Sequence, residues 1–127
     1  MKDIWGIYPW FKEDGQELIE PRYREKFSSL RPYGKVFLCV GEQDQYIVLQ
    51  YNKQSFLVKP TLFQKILTPK FTFGQAVRIR SNPEVFGFIC EINWHHKTER
   101  EMYYIEVNGK KKSSRYFSKD LIDMEGA

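Results

Sequence analysis

Hydrophobic and polar positions divide the chain into three zones. In the first, Ile19, Tyr23, Phe27 and Leu30 recur at spacings of four, four and three, which places one apolar stripe on a short amphipathic helix. Pro21 suits the first helical position, and Pro32 with Gly34 stops the run. Ahead of it stands Trp5-Gly6-Ile7-Tyr8-Pro9-Trp10-Phe11. Such a cluster is an aggregation liability in an exposed tail, so the N-terminal segment is expected to pack as a lid.

The second zone alternates with the period of strands. Residues 35–41, 46–51 and 55–59 read as three strands, separated by a polar turn at 42–45 and by Asn52-Lys53. Residues 60–63 look like a single helical turn. The third zone has a strand at 75–80, a turn at Asn82-Pro83 and a longer strand at 86–94. In that strand Phe86, Phe88, Cys90, Ile92 and Trp94 share one face if alternation is strict. A polar connection at 95–101 leads to a strand at 102–107. Asn108-Gly109 is the strongest hairpin signal in the chain, because both central residues of a type I′ turn need positive φ. Residues 111–117 return, and 118–122 resemble another helical turn with Ser118 as its cap.

The two β zones look related. Gly34-Lys35-Val36 matches Gly74-Gln75-Ala76-Val77, Tyr46-Ile47-Val48-Leu49 matches Tyr104-Ile105-Glu106-Val107, Asn52 answers Asn108, and Leu62-Phe63 answers Leu121-Ile122. The drift in spacing is explained if the second copy holds an extra strand near 86–94. The expected organisation is residues 1–31 as an aromatic segment plus helix, 32–69 as a small β unit, and 70–127 as a more complete one.

The second unit is similar to bacterial SH3-like barrels. A Gly-x-x-Val strand (Gly74 to Val77) leads to Gly87-Phe88-Ile89, then a Tyr-rich strand, a hairpin and an Asp120-Leu121 ending. Tudor-type and KOW-type modules share this layout, which covers about 50 residues. The resemblance implies a mainly β protein of two tandem small SH3-like antiparallel units, or one merged barrel, with a short N-terminal helix. The Trp5-to-Trp10 block resembles that of small bacterial proteins, a likeness that brings no function with it.

Composition narrows the class. The chain has 127 residues, 42% hydrophobic and 17% aromatic, too apolar for disorder and sized for one domain or two very small ones. There is no apolar run long enough to cross a bilayer and no signal-peptide pattern, so a cytoplasmic protein without a membrane role is expected. The net charge of +4 is uneven: residues 31–70 carry six basic against two acidic residues. Residues 109–119 carry five basic residues and no acid. Cys39 and Cys90 have no metal or redox spacing, and read as small buried hydrophobes or as a disulfide pair.

Candidate chemistry follows from these features. His95-His96 holds both histidines, but adjacent strand residues point to opposite faces and no third ligand has regular spacing. Ser113-Ser114 lies beside lysines without a nucleophile elbow. No phosphate loop is present. The chain is therefore expected to be non-catalytic and to need no cofactor or metal, with an enzyme using His95 or His96 ranked third.

The basic hairpin is the most specific surface feature. Lys110, Lys111 and Lys112 fan out at its tip, either to contact an anionic partner or to guard a sheet edge against pairing. Tyr104, Tyr116, Trp94 and Phe86 are candidates to rim an aromatic groove. A two-residue turn pairs Ile105 with Lys112 and puts a lysine on the core face, so either the hairpin carries a bulge or the face assignment is wrong. The expected ligand-binding set is Trp94, Tyr104, Tyr116, Lys110, Lys111, Lys112 and Arg115, supported by Arg78 and Arg80. Two partner classes stay open: nucleic acid, or a protein bound by an adaptor or immunity-type surface. The sequence leaves the oligomeric state undefined.

Overall fold

A computed structural model describes residues 3–124. The protein is mainly β, with two five-stranded antiparallel sheets. The chain divides into two compact units between Thr68 and Pro69.

The N-terminal unit contains β1 (Ile4–Ile7), β2 (Val36–Gln43), β3 (Tyr46–Tyr51), β4 (Gln54–Val58) and β5 (Gln64–Lys65), in the order β4-β3-β2-β1-β5. Alternation in β3 buries Ile47, Leu49 and Tyr51. A 3-10 turn at Pro60–Leu62 precedes β5. The aromatic cluster expected to pack as a lid instead begins as part of the sheet, because β1 lies inside it and pairs with both β2 and β5. Gly6 permits this close packing, since a Cβ there would stand 2.6 Å from the Gln64 carbonyl oxygen.

Residues 8–35 form the long connection from β1 to β2. It carries α1 (Arg24–Leu30), preceded by a 3-10 turn at Pro21–Tyr23. Glu20 caps that turn: one carboxylate oxygen accepts the Arg22 amide at 2.7 Å, the other the Arg22 Nε at 2.8 Å. Glu20 is itself buried. The hydrogen bond from the Arg22 side chain is the main cause that lowers its pKa. Backbone hydrogen bonds from the Glu20 amide to Leu57 O and from the Lys59 amide to Leu18 O tie the connection to β4. The core centres on Phe27, wholly buried, with the rings of Tyr8, Trp10, Phe37 and Phe56 at 5.7, 5.8, 5.7 and 5.1 Å.

The C-terminal unit contains β6 (Ala76–Ile79), β7 (Asn82–His95), β8 (Arg100–Val107), β9 (Lys110–Lys111) and β10 (Leu121–Asp123), in the order β10-β6-β7-β8-β9. A 3-10 turn at Ser118–Asp120 precedes β10. Both units thus hold five strands, and the second has no extra one. The strand at 86–94 corresponds by position in the sheet to β2, not to an insertion. Tyr103 anchors this core: fully buried, its hydroxyl donates to Glu101 at 2.8 Å and accepts the Phe71 amide at 3.2 Å. Desolvation pushes its phenol pKa far up, so it stays protonated.

The single face expected for 86–94 is also corrected. The register of β7 against β8 shifts between Ile89 and Glu91, a bulge that places Cys90 and Glu91 opposite Tyr104. Phe86 and Phe88 therefore face outward, each 48% exposed, whereas Ile89 and Ile92 turn into the core. Both cysteines are free thiols, so no disulfide joins them. Among the described residues no helix is long and apolar enough to cross a membrane.

Two outcomes follow. Phe27→Ala removes the ring at the centre of the N-terminal core and is expected to cost about 3–5 kcal/mol in urea unfolding. Glu20 has a depressed folded-state pKa, so its stabilisation is present above the ordinary carboxylate range and is lost as pH falls through the folded pKa. Glu20→Gln should lower the melting temperature at neutral pH, and the gap to the parent protein should close on acidification.

Candidate functional site: a basic cleft in the C-terminal unit

Two backbone hydrogen bonds decide where the polar side chains of this unit go. After the Asn108-Gly109 turn, with φ of 53° and 78°, Val107 pairs with Lys110 and Glu106 with Lys111. The Lys112 amide still reaches Ile105 O at 2.9 Å, and there the ladder breaks. Residues 113–115 swing away and the chain returns at Tyr116. Tyr116 exchanges both backbone bonds with Tyr103, at 2.7 and 2.8 Å. Lys112 stays opposite Ile105, as the two-residue turn requires, but is only half-buried, and the excursion begins after it. The expected return strand over 111–117 is reduced to β9 and this one bridge.

The excursion builds one wall of an open cleft of about 610 Å³, lined by Ile79, Arg80, Ser81, Ser114, Arg115, Tyr116 and Asp120. The opposite wall is the β6–β7 turn. It is held by the Arg80 amide donating to Asp120 O and by Arg80 Nε donating to Lys119 O, both at 2.9 Å. Arg115 rests on soft partners: Nη1 lies 3.5 Å from Met102 Sδ, and the guanidinium carbon sits 6.0 Å from the centre of the Phe117 ring. Asp120 is the one acid in the lining, and its Oδ2 accepts the Phe117 amide at 2.9 Å. Among the described residues no carboxylate forms an ion pair with Arg80 or Arg115. Two guanidiniums, two serine hydroxyls and a tyrosine edge around one cleft can hold an anion such as a phosphate or a carboxylate.

The cleft unites Arg80, Arg115 and Tyr116 from the expected set and adds Ser114, considered in the sequence only as a nucleophile, and Ser81, for which the sequence carries no signal. The other candidates lie elsewhere. Lys110 and Lys111 are the whole of β9, the edge of the sheet, where lysines oppose pairing with another chain. Lys111 Nζ bonds Glu91 at 2.6 Å and sits 4.4 Å over the Tyr104 ring. The Glu91 hydrogen bond raises its pKa. Tyr104 faces outward beneath that lysine. Trp94 is half-buried opposite Glu101 and follows the alternation of Ile92, on the other face from Tyr104, so the two rim no common groove. Arg78 pairs with Phe86 across β6 and β7, and its Nη1 donates to Pro83 O at 2.8 Å.

His95 is part of the turn into β8. Its Nδ1 accepts the Thr98 amide at 3.3 Å, lies 2.6 Å from Thr98 Oγ1, and the ring packs edge-on against Phe117 at 6.0 Å. Among the described residues no three His, Cys, Asp or Glu side chains gather as metal ligands. The Cys90 thiol donates to Tyr104 O at 3.4 Å, and burial raises its pKa, which suppresses the reactive thiolate.

The chain belongs to a family of unknown function, DUF6960, whose model matches residues 1–122. Comparison with curated proteins finds no match.

The Glu91–Lys111 bridge is half exposed on its lysine side. Lys111→Ala is accordingly expected to cost less than about 1 kcal/mol, and less again in high salt. Urea unfolding at two ionic strengths checks both statements.

Proposed function

We propose that the protein is a non-catalytic binding module that recognises an anionic, extended partner through the basic cleft of its C-terminal unit, with nucleic acid as the partner. The observation that carries this reading is the convergence of Arg80, Arg115 and Tyr116 with Ser81 and Ser114 around one open cleft. Arginine forks suit phosphate, serine hydroxyls donate to its oxygens, and the tyrosine offers a ring beside them. Lys112 and Lys119 extend the positive field on the same stretch of chain without forming the cleft's walls.

This reading includes the fold. Each unit has its first strand between the second and the last, a 3-10 turn just before the last strand, and a bulge in the second strand where it pairs with the third. The repetition supports two tandem SH3-like units that arose by duplication. A protein partner is the second reading. It rests on Phe86 and Phe88, which stand side by side on the outer sheet face with about half of their surface exposed.

Fluorescence anisotropy with labelled single-stranded and duplex DNA and RNA at two salt concentrations tests the first reading. Binding is expected to weaken steeply with salt, and Arg80→Ala with Arg115→Ala should lower affinity by about tenfold or more. Absence of binding at low salt overturns it. Binding that ignores the two arginines but falls on Phe86→Ser with Phe88→Ser moves the contact to the aromatic face.

A further inference from the structure

We propose that the N-terminal unit carries a separate site for a phosphorylated nucleobase ligand, in the clefts between residues 10–16 and α1. Two open clefts of about 230 and 400 Å³ lie side by side, with Lys12 and Ser28 in the linings of both. The smaller cleft is aromatic. Phe11 and Tyr33 stack at 4.4 Å with 25° between their planes, and remain 49% and 38% exposed. Solvent-facing stacked rings are the surface on which a base adds another layer. The larger cleft is cationic: Lys12 and Arg24 line it, and Arg31 stands at the aromatic mouth. Among the described residues no ion pair engages these three side chains. Glu25 is the one acid of the lining.

The backbone gives an independent reason to look here. Arg31 ends α1 in the left-handed region, with φ 59° and ψ 65°. Helices usually place glycine at such a position, and Arg31 also precedes Pro32, which disfavours helical backbone at the residue before it. A strained arginine where glycine would fold more easily, at the mouth of an aromatic cleft, points to a side chain kept for a ligand. Ring stacking at one end and three cations along the rest fit a nucleobase joined to phosphate, either a free mononucleotide or the end of a single strand.

Amide NMR titration of the full chain with AMP, adenosine, inorganic phosphate and oligo(dA) tests this site. AMP is expected to shift the amides of residues 10–12, 28, 31 and 33, with adenosine and phosphate each about tenfold weaker. Arg31→Gly should hold or raise the melting temperature while weakening AMP about fivefold or more, and Phe11→Ala should weaken it similarly. Tighter binding of oligo(dA) at the same amides identifies a strand end; tighter AMP identifies a free nucleotide. Arg80→Ala with Arg115→Ala leaves these shifts unchanged, so this site and the C-terminal cleft stand or fall separately. Silence of these amides at millimolar AMP and oligo(dA), or an Arg31→Gly protein that binds as before, overturns the proposal.

Discussion

The C-terminal unit depends on the pair of backbone hydrogen bonds between Tyr103 and Tyr116. Tyr103 is the largest buried side chain of this unit, and its hydroxyl is already committed to Glu101 and to the Phe71 amide. It therefore cannot move to follow the hairpin. The returning chain has four residues to cover what two cover on β8, so the surplus must leave the sheet. It leaves as residues 113–115, which puts Ser114 and Arg115 into the wall of the cleft. Had the ladder continued in register past Lys112, residues 113–115 would have stayed in the sheet and Arg115 would not line the same cleft as Arg80.

The two units meet the same physical problem in the same way. A four-stranded meander leaves its first strand with one open side, and each unit covers it with a fifth strand. A 3-10 turn re-aims the chain just before that strand in both. The bulge in the second strand adds twist, falling between Cys39 and Gly41 in one unit and between Ile89 and Glu91 in the other. The units differ chiefly in the first connection. In the C-terminal unit a two-residue turn, Arg80-Ser81, joins β6 to β7. In the N-terminal unit residues 8–35 replace it and bring α1 and Phe27 onto the sheet.

Local features were legible in the sequence and long-range ones were not. Asn108-Gly109 announced its turn because positive φ at both positions is rare outside Asn and Gly, and the observed angles agree. The stripe through Ile19, Tyr23, Phe27 and Leu30 reads as one helix, but α1 begins only at Arg24 and Ile19 is extended, bridged to Val58; of the four, Ile19 and Phe27 are fully buried. By contrast β1 is four residues long, contains Gly6 and is followed closely by Pro9, so no alternation declares it. Its partners β2 and β5 lie far along the chain. The bulge at Cys90 is one extra residue, and one residue reverses every facing beyond it. That single slip separates Phe86 and Phe88, which face outward, from Ile92 and Trp94, with which strict alternation groups them. Of the candidate site, Arg80, Arg115 and Tyr116 were named from charge and ring character alone. Ser81 and Ser114 come together only through topology.

Charge density along a sequence is also a poor guide to where an anion can be held. The run Lys110-Lys111-Lys112 is the most basic stretch of the chain, yet Lys111 is bonded to Glu91 and lies on Tyr104, and its neighbour occupies a sheet edge. A lysine on an edge repels strand pairing from wherever its flexible stem points, so no fixed geometry is required of it. Holding a phosphate asks for the opposite: donors in fixed directions, converging from different parts of the chain. Arg80 has that constraint because its Nε is bound to Lys119 O, and Arg115 because its guanidinium rests between Met102 and Phe117. Both side chains are exposed, and it is the fixed direction of their forks, more than the count of positive charges, that distinguishes the cleft from the hairpin tip.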